Sequence, residues 1–149
     1  MISRSTLLHL RIPFSFFLLP VYLFALSISN TPAWQNGLFV FFIVHFLLYP
    51  ASNGYNSYFD KDKKSIGGLR NPPAVTKDLY NVSIILDIVA ITFGLVINKW
   101  FALMLFIYGM ISKAYSHPSV RIKKYGTKLA DSRVFSGFLH IYDVLSGNE

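Results

Sequence analysis

Residues 37–51 read GLFVFFIVHFLLYPA, and residues 52–60 continue directly as SNGYNSYFD. The first stretch is apolar except for one histidine, and its length approaches the roughly 20 residues that cross a hydrocarbon core. Lipid offers no partner for backbone N–H and C=O groups, so such a run is expected to be helical. The junction therefore predicts a membrane helix that carries polar side chains at its end.

Three further apolar runs flank this one, at residues 13–28, 79–97 and 100–115. The chain has 149 residues, of which 53% are hydrophobic and 14% charged. Soluble domains carry about 25% charged residues, so this composition argues against an ordinary soluble domain. The high hydrophobicity also excludes intrinsic disorder. With no cysteine there is no disulfide, no thiolate metal site and no thiol nucleophile. These features predict an all-α polytopic transmembrane helix bundle with four spans.

The basic residues predict the orientation of that bundle. If all four runs span, 13 of the 14 Lys and Arg residues lie on one side, in the head, in the loop of residues 52–78 and in the tail. This excess is typical of the cytoplasmic side. Both termini, the loop of residues 52–78 and the segment after the fourth run are therefore expected to be cytoplasmic. The protein would be an integral, multi-pass membrane protein surrounded by membrane lipid.

A cleaved signal peptide is the competing interpretation of the first 29 residues, with Arg4 and Arg11 as its basic region. Pro13 and Pro20 interrupt the apolar region, and removal of the run would break the alternation of charge. A first membrane span is the preferred prediction.

The polar end of the second run carries a spaced set of oxygen ligands. On a continuing helix, Asn53, Asn56 and Asp60 recur at i, i+3 and i+7 on one face, and Lys64 would share that face while Asp62 would not. Mg²⁺ takes one or two carboxylates together with phosphate oxygens. The alternative is a solvated loop in which Asp60 pairs with Lys64 and Asn56 caps a helix end.

A second basic cluster, residues 115–125, reads YSHPSVRIKKY and follows the fourth run. It is expected on the same side of the membrane as the loop of residues 52–78. Two basic segments facing one compartment could meet over an anionic group. The alternative is that these residues set topology and contact anionic lipid head groups.

Together these segments resemble the UbiA-type intramembrane prenyltransferase family. That family has an N-D-x-x-D-x-x-x-D motif after its second helix and a Y-S/P-x-x-x-R/K-x-K-like segment after its fourth. The matching positions of this chain are Asn56, Ser57, Asp60 and Lys64 in the first segment, and Tyr115, Ser116, Arg121 and Lys123 in the second. The opening HLRIPFSFFLLPVYLFAL resembles the first helix of the family, and the resemblance covers about residues 7–125.

The resemblance implies transfer of an isoprenoid group from an allylic prenyl diphosphate to an acceptor, with Mg²⁺ as cofactor. The implied diphosphate-binding residues are Asn56, Lys64, Arg121 and Lys123. The implied metal ligands are Asn56, Asp60 and Asp62. The implied fold is the first half of the family's bundle.

The chain departs from the family pattern in two respects. Ser57 and Lys64 replace two motif acids, and the second Asp-rich motif of the family is missing. Residues 1–125 are interpreted as a prenyltransferase-like N-terminal region and residues 126–149 as a divergent polar tail. For that tail, a frameshift that truncates a longer enzyme and a short amphipathic segment are both open interpretations. The functional alternatives are accordingly a non-catalytic remnant and a small membrane interaction or transport subunit.

Two polar residues lie inside the apolar runs. Asp87 is a functional candidate by its position, although a polar contact between helices is preferred, and His45 is expected to be a packed side chain. A nucleic-acid partner is not expected, because the basic residues follow the topology. Homodimerisation of a half bundle is a further hypothesis.

Overall fold

The computed structural model describes residues 2–28, 34–61 and 64–120, and the predicted boundary at residue 125 lies outside them. The described chain is helical apart from its connections, with one isolated β-bridge between Ile66 and Leu69. Its helical elements are α1 (Arg4–Leu10), α2 (Ile12–Ser15), a 3-10 turn (Phe16–Leu18), α3 (Leu19–Ser27), α4 (Trp34–Phe42), a π-helix (Ile43–Leu48), α5 (Tyr49–Asp60), α6 (Asp78–Ile97) and α7 (Lys99–Ser116).

Three helical stretches are long and apolar enough to cross a membrane: Arg4–Ser27, Trp34–Asp60 and Asp78–Ile97. This agrees with the prediction of an all-helical membrane protein and with the first three apolar runs. Helix α7 has 18 residues but is less apolar, with a lysine at its start and Lys113 in its last turn. The fourth span therefore stays a prediction.

The first of these stretches is broken twice near its start. Ser3 caps α1, its hydroxyl accepting a hydrogen bond from the N–H of Thr6 at 3.1 Å. Arg11 then adopts a left-handed conformation at φ 47° and ends α1. Pro13 lies in the first turn of α2, and Pro20 in the first turn of α3, where the missing N–H of proline costs little.

The second stretch widens into a π-helix just before Pro50. Proline in an α-helix interior removes one hydrogen bond and its ring clashes with the carbonyl four residues earlier. The N–H of Tyr49 instead bonds the carbonyl of Val44, five residues back. The wider turn keeps the stretch continuous through the proline, which sequence periodicity did not indicate.

Helices α6 and α7 form a tight hairpin. Asn98 leaves the helical conformation, and its side chain accepts a hydrogen bond from the N–H of Trp100 at 2.8 Å. This confirms the break between the apolar runs of residues 79–97 and 100–115. Near the turn, a Cβ on Gly94 would lie 2.7 Å from Cδ1 of Leu105 and 3.2 Å from Cα of Ala102. The absence of a side chain at Gly94 is what lets the two helices approach.

Helix α5 packs against α1, α6 and α7, and α6 likewise packs against α1, α5 and α7. A Cβ on Gly54 would press on Ser83 Oγ of α6 and lie 3.0 Å from Cδ2 of Leu10 and 3.1 Å from Cδ1 of Leu79. Small residues at such crossings allow the close backbone approach on which helix association in membranes depends. The apolar core continues from here toward the other end of the bundle. Its buried members are Ile43, Val44, Leu47, Leu48, Tyr49, Ala90, Phe101 and Leu105.

Replacement of Gly54 by alanine tests this crossing. Overpacking of a close contact costs about 1–3 kcal/mol, so Gly54→Ala should lower the free energy of unfolding in detergent by that amount. Gly37→Ala is the matched control. Among residues 2–28, 34–61 and 64–120, its added Cβ would meet only Leu26 and Tyr22, both at 3.5 Å. Alanine also favours a helix by about 1 kcal/mol over glycine. Equal stability of the two variants would contradict the packing at Gly54.

Candidate functional site

The polar face predicted on the second span lies on one continuous helix. Asn53, Asn56 and Asp60 all belong to α5, and all three side chains are half-buried. Their spacing places them on the same face of α5, along the last two turns of the helix. The structure thus bears out the helical arrangement that the spacing predicted.

Lys64 does not share that face, which corrects the extended-helix expectation. Helix α5 ends at Asp60 because Lys61 turns into the left-handed region at φ 49°, ψ 41°, with its N–H on the carbonyl of Ser57 at 3.0 Å. Lys64 lies beyond this end and is exposed. A glycine usually occupies the left-handed position after a helix. The lysine found there therefore did not indicate that the helix ends at Asp60. Asp62 lies outside the described residues.

The ends of α5 and α7 meet through a hydrogen bond. The hydroxyl of Ser116, the last residue of α7, donates to Oδ1 of Asn56 at 2.7 Å, and Ser116 is buried. This contact joins residues that are 60 positions apart in sequence. Asn56 lies inside α5, so the alternative interpretation in which it caps a helix end is wrong. Arg121 and Lys123 lie outside the described residues.

Aromatic rings surround this junction. The ring centroid of Phe59 lies 5.3 Å from that of His117, which follows α7 directly, and the ring of Tyr58 lies 5.3 Å from that of Tyr80 on α6. The edge-to-face arrangement of Phe59 and His117 is a favoured aromatic geometry. These contacts hold the start of the second basic cluster, residues 115–125, beside the end of α5.

Arg11 joins the same end of the bundle, and sequence reasoning did not identify it as part of the site. One guanidinium nitrogen donates to Oδ1 of Asn53 at 3.2 Å, and the guanidinium carbon lies 5.3 Å from the ring centre of Phe14. Arg11 and Asn53 are 42 positions apart, so no local pattern links them. The only available signal was a charged residue at the break before Ile12-Pro13.

The loop between α5 and α6 is tied to the first helix. Asp78 accepts hydrogen bonds from the N–H of Ser3 at 3.0 Å and from the hydroxyl of Thr6 at 2.7 Å. His9 Nε2 lies 2.9 Å from the carbonyl oxygen of Pro73. Gly67, at φ 26°, would bring a Cβ to 2.5 Å from a guanidinium nitrogen of Arg11. The loop is thus held against Arg11.

A buried ion pair lies deeper between α6 and α7, where Lys113 contacts Asp87. The Asp87 side chain is 7% exposed and that of Lys113 20%. This confirms the preferred polar contact between helices for Asp87. The ammonium group of Lys113 also lies 5.5 Å from the ring centre of Tyr55.

His45 is a packed side chain, as the sequence predicted. It is fully buried, its Nδ1 lies 3.2 Å from the carbonyl oxygen of Phe41, and its ring stacks on that of Phe41 at 4.5 Å. Tyr22 and Tyr49 meet its ring edge-on. This aromatic cluster surrounds His45 of the π-helix, away from the junction of α5 and α7.

The donor set of the junction fits Mg²⁺ only together with oxygens from a phosphate. Among residues 2–28, 34–61 and 64–120, no three His, Asp or Glu side chains gather at one point. Asp60 supplies one carboxylate, and Asn56 an amide oxygen with a second lone pair beyond the one used by Ser116. Mg²⁺ commonly binds proteins through one or two carboxylates and completes its shell with substrate phosphate and water.

Comparisons with models of known protein families, with curated proteins and with solved structures each find no match to this chain. The resemblance to UbiA-type prenyltransferases therefore depends on the motif residues and their order along the chain.

Proposed function

We propose that this chain is a membrane protein that binds an allylic prenyl diphosphate with Mg²⁺ where the ends of α5 and α7 meet. The proposed activity is transfer of the isoprenoid group to an acceptor. The observation that carries this proposal is the hydrogen bond between Ser116 and Asn56 at 2.7 Å. It brings together the two segments that resemble the diphosphate-binding motifs of one enzyme family.

The chain's own residues have distinct roles in this proposal. Asp60 and Asn56 hold the metal, with Asp62 as a further carboxylate. Lys64, Arg121 and Lys123 bind the diphosphate, as the family resemblance implies. Mg²⁺, when bound, neutralises charge on the leaving diphosphate.

Arg11 is a described cation that contacts the polar face of α5, through its hydrogen bond to Asn53. A guanidinium group can bind phosphate oxygens through two parallel hydrogen bonds. The aromatic rings of Tyr58 and Phe59 close the junction from the side of α6 and His117, and faces of this kind stabilise a cationic centre.

We further propose that α7 is the fourth span, with the head, the loop of residues 52–78 and the tail on the cytoplasmic side. The charge distribution supports this orientation, since 13 of 14 basic residues then lie on one side. Trp100, at the start of α7, is 51% exposed and fits an interfacial anchor. The polar contacts of Lys113 with Asp87 on α6 reduce the cost of a lysine in a spanning helix.

Single cysteines at the two ends of α7 test the fourth span, because the natural chain contains none. Lys99→Cys should react with a membrane-impermeant maleimide from outside intact cells. Ser119→Cys should react only after permeabilisation. Both positions are exposed, so access to the reagent depends on the side of the membrane. Reaction of both from the same side would contradict a spanning α7.

Loss of the Asp60 charge tests the proposed activity. Purified protein in lipid should release inorganic pyrophosphate from farnesyl or geranylgeranyl diphosphate when Mg²⁺ and an aromatic acceptor are present. Asp60→Asn should lower that rate about a hundredfold, the scale of removing one electrostatic group that acts on developing charge. The measurement is the Mg²⁺-dependent rate of pyrophosphate release.

Asp78→Asn is the matched control, since it removes a carboxylate from the same end of the bundle. The amide oxygen can still accept the hydrogen bonds from Ser3 and Thr6, so the fold and the Mg²⁺ dependence should persist. Diphosphate binding without turnover would favour the non-catalytic remnant. Neither binding nor turnover, with co-purification of a partner that is unaffected by Asn56 or Asp60 variants, would favour the interaction subunit.

A further inference from the structure

Lys113, the cation of the Asp87–Lys113 ion pair, belongs to the last turn of α7, the helix that meets α5 at the junction. Gly109, Lys113 and Ser116 occur at i, i+4 and i+7 on α7 and so share one face. Three residues of α-helix advance about 4.5 Å, which places the backbone of Lys113 one turn below Ser116. The ammonium group of Lys113 lies farther back, near Gly109, so the ion pair itself is about two turns from the hydrogen bond between Ser116 and Asn56.

The hydrogen bonds of this pair are incomplete on the Asp87 side. Lys113 contacts Oδ2 of Asp87, while the buried Oδ1 has no hydrogen-bond donor within the described part of the chain. Lys113 also donates to the carbonyl of Gly109 at 3.4 Å, a long hydrogen bond. A buried ion pair stabilises a fold only when its remaining polar atoms are satisfied. This geometry is therefore poor for a purely structural contact.

The position of Lys113 allows its ammonium group to reach two different sites. Helical side chains lean toward the N-terminus of their helix, and Lys113 does so here, toward Gly109 and Asp87. Its stem has four carbons, a length comparable to one helical turn. A change of rotamer toward the C-terminal end of α7 would bring the ammonium group to the level of Ser116 and Asn56.

We propose that Lys113 is a further diphosphate-binding residue, and that Asp87 competes with the diphosphate for its ammonium group. This inference depends on the proposed function, because it assigns a further cation to the same site. The carboxylate of Asp87 compensates the ammonium group of Lys113 within the bundle. Because only one oxygen of Asp87 contacts the lysine, the ammonium group can exchange partners. The proposed exchange makes Asp87 a determinant of diphosphate affinity without contact between Asp87 and the ligand.

The test measures binding of inorganic pyrophosphate, with Mg²⁺, to the full chain in lipid nanodiscs. Asp87→Asn keeps the shape of the side chain and removes its charge, so it should tighten binding about tenfold, the scale of one charge-assisted contact. The double variant Asp87→Asn/Lys113→Met should bind more weakly than the wild type by a similar factor. The double variant carries no uncompensated buried charge, so it tests the proposal even if Asp87→Asn fails to fold.

Lys99→Met is the control, because it removes an exposed lysine from the opposite end of the same helix. It should bind pyrophosphate as the wild type does. Wild-type affinity in the double variant, or no tightening in a folded Asp87→Asn variant, would overturn the role of Lys113. If binding depends on Asp60 and not on these two residues, only this inference fails. If no variant binds pyrophosphate, the proposed function fails as well.

Discussion

The packing of α5 against three neighbours is the interaction on which the rest of this structure depends. At Gly54 the backbone of α5 lies against Leu10 of α1 and against Leu79 and Ser83 of α6. Lipid tails are as apolar as leucine, so the hydrophobic effect does not drive helix association in a membrane. Close packing and interhelical polar contacts hold such helices together instead. Gly54 allows the close packing, and the hydrogen bonds of Asn53 and Asn56 supply the polar contacts.

This packing separates the bundle into a polar end and an apolar end. The polar end contains Arg11, the Asn and Asp residues of α5, and the last turn of α7. Toward the other end, the core around Leu48, Ala90 and Leu105 is apolar and fully buried. The Asp87–Lys113 pair lies between the two regions, where an ionised group has a high desolvation cost unless it is paired.

Much of the helical layout could be predicted from the sequence, because lipid requires every backbone group in an apolar run to bond within its own helix. The turn at Asn98 could also be predicted, and so could the shared face of Asn53, Asn56 and Asp60, since a fixed period defines that face. The end of α5 at Lys61 could not. A left-handed lysine has no compositional signal, and the prediction that Lys64 shares the helix face of Asn56 and Asp60 was therefore wrong.

The contacts between distant segments were also beyond sequence reasoning. Arg11 with Asn53 and Lys113 with Asp87 join distant segments of the chain, and only the three-dimensional packing selects them. The π-helix before Pro50 likewise reflects how the chain retains hydrogen bonds around a proline within a span. The same packing brings Asn56 and Ser116, one residue from each motif-like segment, within hydrogen-bond distance.

The central claim is that a diphosphate binds where α5 and α7 end. The most direct measurement is labelling of the protein in lipid with a photoreactive allylic diphosphate analogue in the presence of Mg²⁺, followed by peptide mapping. The account predicts label on peptides from the ends of α5 and α7, suppressed by excess inorganic pyrophosphate. Label confined to the exposed apolar residues of α3 and α4, or label that pyrophosphate does not suppress, would contradict it.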